Sequence, residues 1–283
     1  MTLGTVAILG PGLIGGSLAL ALAERELAQR LMIYARSPRA LDDIRAAGVA
    51  AELTGNPSEA VREADVVILC VPIEAMAELV REFRDALKPT ALVTDVGSVK
   101  GSVVREIEPL LGARWIGSHP MAGSEQAGFA AARADLFEGA PVILTPTSRT
   151  PLEMEQRAAQ FWRALGGRVV RLDPDLHDEY VAQISHLPHL LAAALAARVS
   201  PEALDLAGGG FRDTTRVASG SPELWLEILS SNAPALSRHL ELLIRDLQNL
   251  RQALVPPVEK SLLLETLKAA HDARAKLPEK RRP

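Results

Sequence analysis

The sequence predicts an α/β domain built on a doubly wound, mostly parallel sheet, followed by an all-α domain. Three observations carry that prediction. Short continuous Val/Ile/Leu runs alternate with amphipathic stretches over residues 1–172. Residues 173–283 keep helical spacing without a strand-like run. A glycine-rich turn follows the first apolar run.

Taken in order, strands are expected at 5–9, 31–34, 66–71, 91–94, 115–117, 142–145 and 168–172. Most are unbroken apolar runs, which suits strands covered on both faces. Helices are expected between them, among others at 17–24, 75–87 and 151–165. The character changes after Asp173-Pro174-Asp175. Helices are then expected at 181–199 and 224–254, ended by Pro256-Pro257, with a last one at 258–275. The wide apolar faces of this set point to burial against a second copy of the chain, a homodimer.

Composition narrows the function classes. The 283 residues are 48% hydrophobic, enough apolar material for two ordinary cores. Against 31 basic side chains stand 35 acidic ones, a net charge of −4, so nothing favours nucleic acid or a membrane surface as partner. The basic tail Lys280, Arg281 and Arg282 reads as a solvated terminus. A single cysteine, Cys70, allows no internal disulfide and lies in an apolar run as a buried thiol. With no leader-like segment and no apolar run of bilayer length, a cytoplasmic location is expected.

The turn Gly10-Pro11-Gly12-Leu13-Ile14-Gly15 sits between the first strand and a helix, the setting that a dinucleotide-binding fingerprint requires. Its glycines serve the tight turn, close approach to the pyrophosphate and helix–strand packing, with the helix N-terminus facing the phosphates. This makes the first domain Rossmann-type. Val71 and Pro72 complete the expected cofactor-binding set. An acid at the end of the second strand would hold the ribose 2′-hydroxyl, but the chain reads Tyr34-Ala35-Arg36-Ser37 there. Arg36 and Ser37 would instead suit a 2′-phosphate, which favours NADP over NAD; the bland alternative is a solvated loop arginine.

Two clusters carry further chemistry. Asp95-Val96-Gly97-Ser98-Val99-Lys100 and Gly117-Ser118-His119 through Glu125 follow strand ends, the edge where open α/β sheets bind ligands. The second cluster joins Ser185-His186-Leu187-Pro188-His189 to Gly208-Gly209-Gly210-Phe211-Arg212-Asp213, with Arg216 and Trp225 beyond. His186 and His189 share a face at an expected helix start. No third ligand accompanies them, so no metal is expected. Three successive glycines point to a special backbone turn that holds Asp213 and Arg216 at one site.

The motifs GPGLIGGSLALAL, DVGSVKG, GSHPMAGSEQAGF, ISHLPHLLA and GGGFRDTTRVASGSPELW occur in that order from about Val6 to Asn232. They closely resemble the prephenate dehydrogenase family, with its arogenate and cyclohexadienyl dehydrogenases. The resemblance implies oxidative decarboxylation of prephenate to 4-hydroxyphenylpyruvate in tyrosine biosynthesis, with hydride transfer to NAD(P)+. Arogenate is the alternative substrate. By the same resemblance His119 accepts the substrate hydroxyl proton, and Ser98 bonds that hydroxyl or steers the imidazole. Arg216 would bind a carboxylate, reaching the site from a partner subunit, and His189 the pyruvyl side chain. His186 would support from behind. Glu125, Asp213 and Trp225 resemble a gate over the pocket, with core packing the other reading of Trp225. A helical half that forms the dimer is also implied. At this length neither a fused mutase nor a regulatory domain is expected. Two rivals remain: a β-hydroxyacid dehydrogenase, which would lean on a lysine in the helical domain, and a dinucleotide-binding regulator without turnover.

Overall fold

A computed structural model describes residues 2–124 and 126–277. Strands β1 (Thr5–Leu9), β2 (Arg30–Tyr34), β3 (Glu52–Thr54), β4 (Val66–Leu69) and β5 (Leu92–Asp95) form a parallel sheet in the order β3-β2-β1-β4-β5. The order reverses between β1 and β4, the switch point at which such sheets open a crevice for ligands. Continuous apolar strands follow from burial on both faces. Val6 and Ile8 enter one core with Leu18, Phe137 and Trp162, while Ala7 and Leu9 enter the other with Met76, Phe83 and Trp115.

A second sheet is made of β6 (Gly117–Pro120), β7 (Pro141–Thr145) and β8 (Arg168–Arg171), with β6 antiparallel to β7 and β7 parallel to β8. A bridge between Val93 and Trp115 brings the approach to β6 alongside β5. The helices of this half are α1 (Leu13–Glu24), α2 (Pro38–Ala46), α3 (Pro57–Val61), α4 (Ile73–Phe83), α5 (Gly101–Leu111) and α6 (Leu152–Ala164). They cover the sheets as a doubly wound fold requires.

One strand is absent from the expected set, and another shifts. β3 is a three-residue edge strand with one apolar side chain, too short to show a period. β6 begins at Gly117 where 115–117 was expected, because its pairing with the apolar β7, and not its own composition, defines it. His119 therefore lies within a strand.

Beyond Asp173 the chain is helical. The Asp173 side chain caps α7 (Pro174–Val181) by accepting from the N–H groups of Asp175 and Leu176. The single helix expected at 181–199 is instead the end of α7, a π turn at Ala182–His186, and α8 (Leu187–Ala196). The wider turn fits the sequence, because Pro188 has no N–H to give and its ring would crowd the preceding turn of a regular helix. His186 and His189 are thus inside a continuous helical run and not at its start. Then come α9 (Pro201–Leu204), α10 (Gly209–Thr215), α11 (Pro222–Ser231), α12 (Ala233–Ala253) and α13 (Lys260–Ala275). The expected helix at 224–254 is interrupted at Asn232, whose buried side chain bonds elsewhere.

The chain divides into two compact units, one through Leu236 and one from Ser237. Within the second, Leu242, Ile244 and Leu247 of α12 and Leu264 and Leu267 of α13 are exposed. Among the described residues no helix is long and apolar enough to cross a membrane.

Candidate active site

The glycine turn leads from β1 into α1, and its three glycines sit in different surroundings. Gly10 takes a φ of +105°, open to glycine, and a Cβ there would meet the Cys70 carbonyl oxygen at 2.6 Å and Val71 Cγ1 at 2.9 Å. At Gly15 a Cβ would strike the Gly10 carbonyl oxygen at 2.1 Å, so this glycine sets how closely α1 meets β1. Gly12 is different. Its φ of −72° is ordinary, and nothing lies within 4 Å of a Cβ built on it. As the residue before Leu13 and Ile14 in α1, it fronts a helix start with no acid and no side-chain cap, whose N–H groups can serve an anion. Cys70 is half-buried where a buried thiol was expected, and desolvation pushes that thiol above its usual range.

His119 is 8% exposed and anchored from behind. Its Nδ1 lies 2.8 Å from His177 Nε2, and His177 Nδ1 lies 2.8 Å from Asp178 Oδ1. The Asp178 carboxylate also accepts the backbone N–H groups of Lys100, at 2.7 Å, and Gly101, at 2.8 Å, where α5 begins. Burial, with His177, Lys100 and His186 nearby, holds the His119 pKa well below 6.5. Burial likewise lowers His177, against the pull of Asp178.

The strand carrying His119 is braced by a buried ion pair. Lys100 Nζ bonds Asp95 Oδ2 and donates to the Ser118 carbonyl at 2.9 Å, while Ser118 N–H donates to Asp95 Oδ1 at 3.0 Å. Thr94 Oγ1 and Trp162 Nε1 donate to Ser118 Oγ at 2.9 and 3.2 Å. Burial lowers the Lys100 pKa, opposed by Asp95.

On the helical side Trp225 stacks on His189, with ring centroids 3.5 Å apart, and meets His186 edge-on at 6.3 Å. Asn232 Nδ2 donates to the Asp178 carbonyl at 2.8 Å and lies 3.1 Å from His186 Nδ1. Burial lowers His186 to about 4 and also lowers His189. His189 Nδ1 and His186 Nε2 are buried with no protein partner, an arrangement native proteins rarely leave without use. Glu227 of α11 accepts the Glu74 N–H at the start of α4 at 2.8 Å, tying the tryptophan's helix to the element that follows Val71 and Pro72.

His119, His186, His189 and Trp225 thus fall into one connected cluster. Ser98 is half-buried in the loop between Asp95 and Lys100, and the bonded partner of the His119 ring is His177. Asp213 and Arg216 are exposed, on α10 and the turn after it, and Arg36 and Ser37 are exposed at the end of β2. The glycines at 208–210 form no left-handed turn. They open α10 as a regular helix start, and a Cβ on any of them would meet open space. Glu125 lies outside the described residues, as does the basic tail. Asp95, Lys100, His177, Asp178 and Asn232 carry no role in the sequence reading. The adjacent His177-Asp178 pair, just past the change of character at Asp173, was the available signal. Among the described residues, no three His, Cys, Asp or Glu side chains are grouped to hold a metal ion.

Comparison with known proteins joins the two halves. Residues 18–171 match the family model described as prephenate dehydrogenase, nucleotide-binding domain, and residues 173–269 match prephenate dehydrogenase, dimerization domain. The chain is 39% identical over 280 residues to the cyclohexadienyl dehydrogenase of Zymomonas mobilis, covering 96% of this chain and 95% of that one. It is 33% identical over 283 residues to the prephenate dehydrogenase of Bacillus subtilis, covering 97% and 76%. The crystal structure of prephenate dehydrogenase from Aquifex aeolicus in complex with hydroxyphenyl propionate and NAD+ matches with a TM-score of 0.91 at 32% identity. That match covers 98% of this chain and 99% of the other.

Proposed function

The chain belongs to the prephenate dehydrogenase family of oxidoreductases, and from that premise we propose that it converts prephenate to 4-hydroxyphenylpyruvate and CO2. The observation that carries the reading is His119, a buried imidazole held neutral on β6, the edge strand of its sheet. A neutral imidazole can take the proton of the ring C4 hydroxyl. A bound nicotinamide would supply the acceptor for the hydride that leaves C4. As the hydroxyl becomes a carbonyl, the bond from C1 to its carboxylate breaks and the electron pair enters the ring. His119 then returns its proton to the phenolate oxygen, so no net proton is lost from that group. The new aromatic ring supplies the driving force.

The cofactor fits the residues present, because the space in front of Gly12 and the uncapped N-terminus of α1 suit a pyrophosphate. Residues 1–172 serve as the cofactor domain and 173–283 as the substrate and dimer domain. Ser98 bonds the substrate hydroxyl. The unpartnered His189 Nδ1 is suited to the pyruvyl side chain, with Trp225 flanking it and His186 behind. Arg216 supplies a guanidinium fork for a carboxylate, with Asp213 as part of the gate. Arg36 and Ser37, without a competing acid, favour NADP over NAD.

The test is a comparison of kcat/KM for prephenate and arogenate, each with NADP and NAD, followed as reduced nicotinamide. Highest efficiency with prephenate and NADP supports the reading. Preference for arogenate transfers the assignment to the amino substrate, and no turnover with any pair overturns it.

A further inference from the structure

We propose that His177 and Asp178 are positioning residues that fix the tautomer of His119, leaving its Nε2 unprotonated to receive the substrate proton. The inference rests on the role of His119 given above, but its geometry stands by itself. Both oxygens of Asp178 already receive backbone N–H groups, Oδ1 from Lys100 and Oδ2 from Gly101. A carboxylate so held is an acceptor only, so His177 Nδ1, 2.8 Å from Oδ1, carries the hydrogen and donates it. A neutral His177 then has a bare Nε2. That atom lies 2.8 Å from His119 Nδ1, which must carry a hydrogen in turn. The remaining nitrogen of His119 is the bare one. The order of donors therefore runs outward from a carboxylate that the start of α5 holds in place.

The surroundings keep His177 neutral, the condition on which the array depends. Its neighbours are Lys100 from the β5–α5 loop, His119 from β6, and Asp178 from its own helix, with Asp95 acting from behind Lys100. Burial is the largest of these influences and disfavours the imidazolium. His186, from the π turn, adds a second buried imidazole near both rings, itself lowered to about 4. Asn232 fixes the backbone carbonyl of Asp178, so the carboxylate end of the array is held through its main chain as well as its side chain. The logic parallels that of an aspartate orienting a catalytic histidine in a serine protease, here with one more ring between carboxylate and base.

The test uses the full-length protein labelled with 15N-histidine, with His119 assigned by the spectrum that His119→Asn loses. Long-range 1H–15N correlations at pH 7.5 should show His119 protonated at Nδ1 and bare at Nε2. In Asp178→Asn the amide can donate to His177, reversing the array, so His119 should switch to the Nε2–H form. The kcat should then fall by roughly 10²- to 10⁴-fold while the Kd for reduced cofactor holds. Because Asp178 also caps α5, a second pair separates positioning from folding. His177→Phe keeps a ring without an acceptor and should lose kcat. His177→Gln offers an oxygen to His119 Nδ1 and should recover at least tenfold over the phenylalanine variant. Equal kcat in those two variants overturns the proposal, as does a wild-type His119 protonated at Nε2. The tautomer is read without turnover. An enzyme inactive on both substrates would therefore sink the function and leave this inference to be judged by the spectrum alone.

Discussion

His119 and Arg36 illustrate how differently single side chains are prepared for their tasks. His119 is enclosed, braced through Ser118 and the Asp95–Lys100 pair, and kept neutral by burial. On the role proposed for it, His119→Asn removes the proton acceptor and is expected to lower kcat by about 10²- to 10⁴-fold, with cofactor affinity intact. Steady-state kinetics beside a cofactor titration check this, and near-normal turnover would contradict it. Arg36 is exposed, and on the proposed NADP preference it gains its meaning from what is missing, since buried Ala35 stands where an acid would repel a 2′-phosphate. Arg36→Ala should raise the KM for NADP at least tenfold more than that for NAD. Equal losses would return Arg36 to an ordinary loop role.

At the scale of elements, the β1–turn–α1 unit separates two uses of glycine. A Cβ on Gly15 would drive into the Gly10 carbonyl, so Gly15→Ala should cost stability, about 1–3 kcal/mol by the usual cost of overpacking. Gly12→Ala meets only open space, so its melting temperature should stay near wild type while dinucleotide binding weakens sharply. Thermal melts and a fluorescence titration of reduced cofactor distinguish the two, and a Gly12→Ala protein that binds normally would refute the pyrophosphate site proposed there. This unit was legible in the sequence because its glycine spacing between strand and helix is a local pattern, although Gly10 answers to the distant Cys70 and Val71. The strands β1, β2, β4 and β7 were legible for a related reason, since burial on both faces writes a continuous apolar run. By contrast β6 reads Gly-Ser-His-Pro and exists only through its partner β7. The His177–Asp178 link to His119 spans 58 residues, and no local pattern announces it. The three glycines at 208–210 suggested a strained turn, yet their neighbourhood is open and a regular helix begins there.

For the molecule as a whole, four buried imidazoles tie folding to pH. His119, His177, His186 and His189 all have folded pKa values below the ordinary 6.5, His186 at about 4. Below about 6.5 the unfolded chain binds protons that the folded chain refuses, so stability falls as pH drops through that window and is fully present above it. Urea midpoints at pH 7.5, 6.0 and 5.0 should decline in that order; a flat series would mean that these rings are solvated. Assembly is the other property at this scale. The exposed leucines of α12 and α13 belong to the segment that matches a dimerization domain. A Leu264→Glu, Leu267→Glu double variant is therefore expected to shift sedimentation from dimer to monomer and to lose activity with it. A fully active monomer would argue against a site shared between subunits. One more consequence lies in the π turn at Ala182–His186, which amounts to a single surplus residue within the run from Pro174 to Ala196. Deleting one residue there would let an ordinary helix run through. Because the wider turn takes up that residue within itself, the helix after it would keep nearly the same phase, with His189 still facing Trp225 and His177 where it stands. The irregularity is a local widening of the backbone, spent entirely on the turn that carries His186.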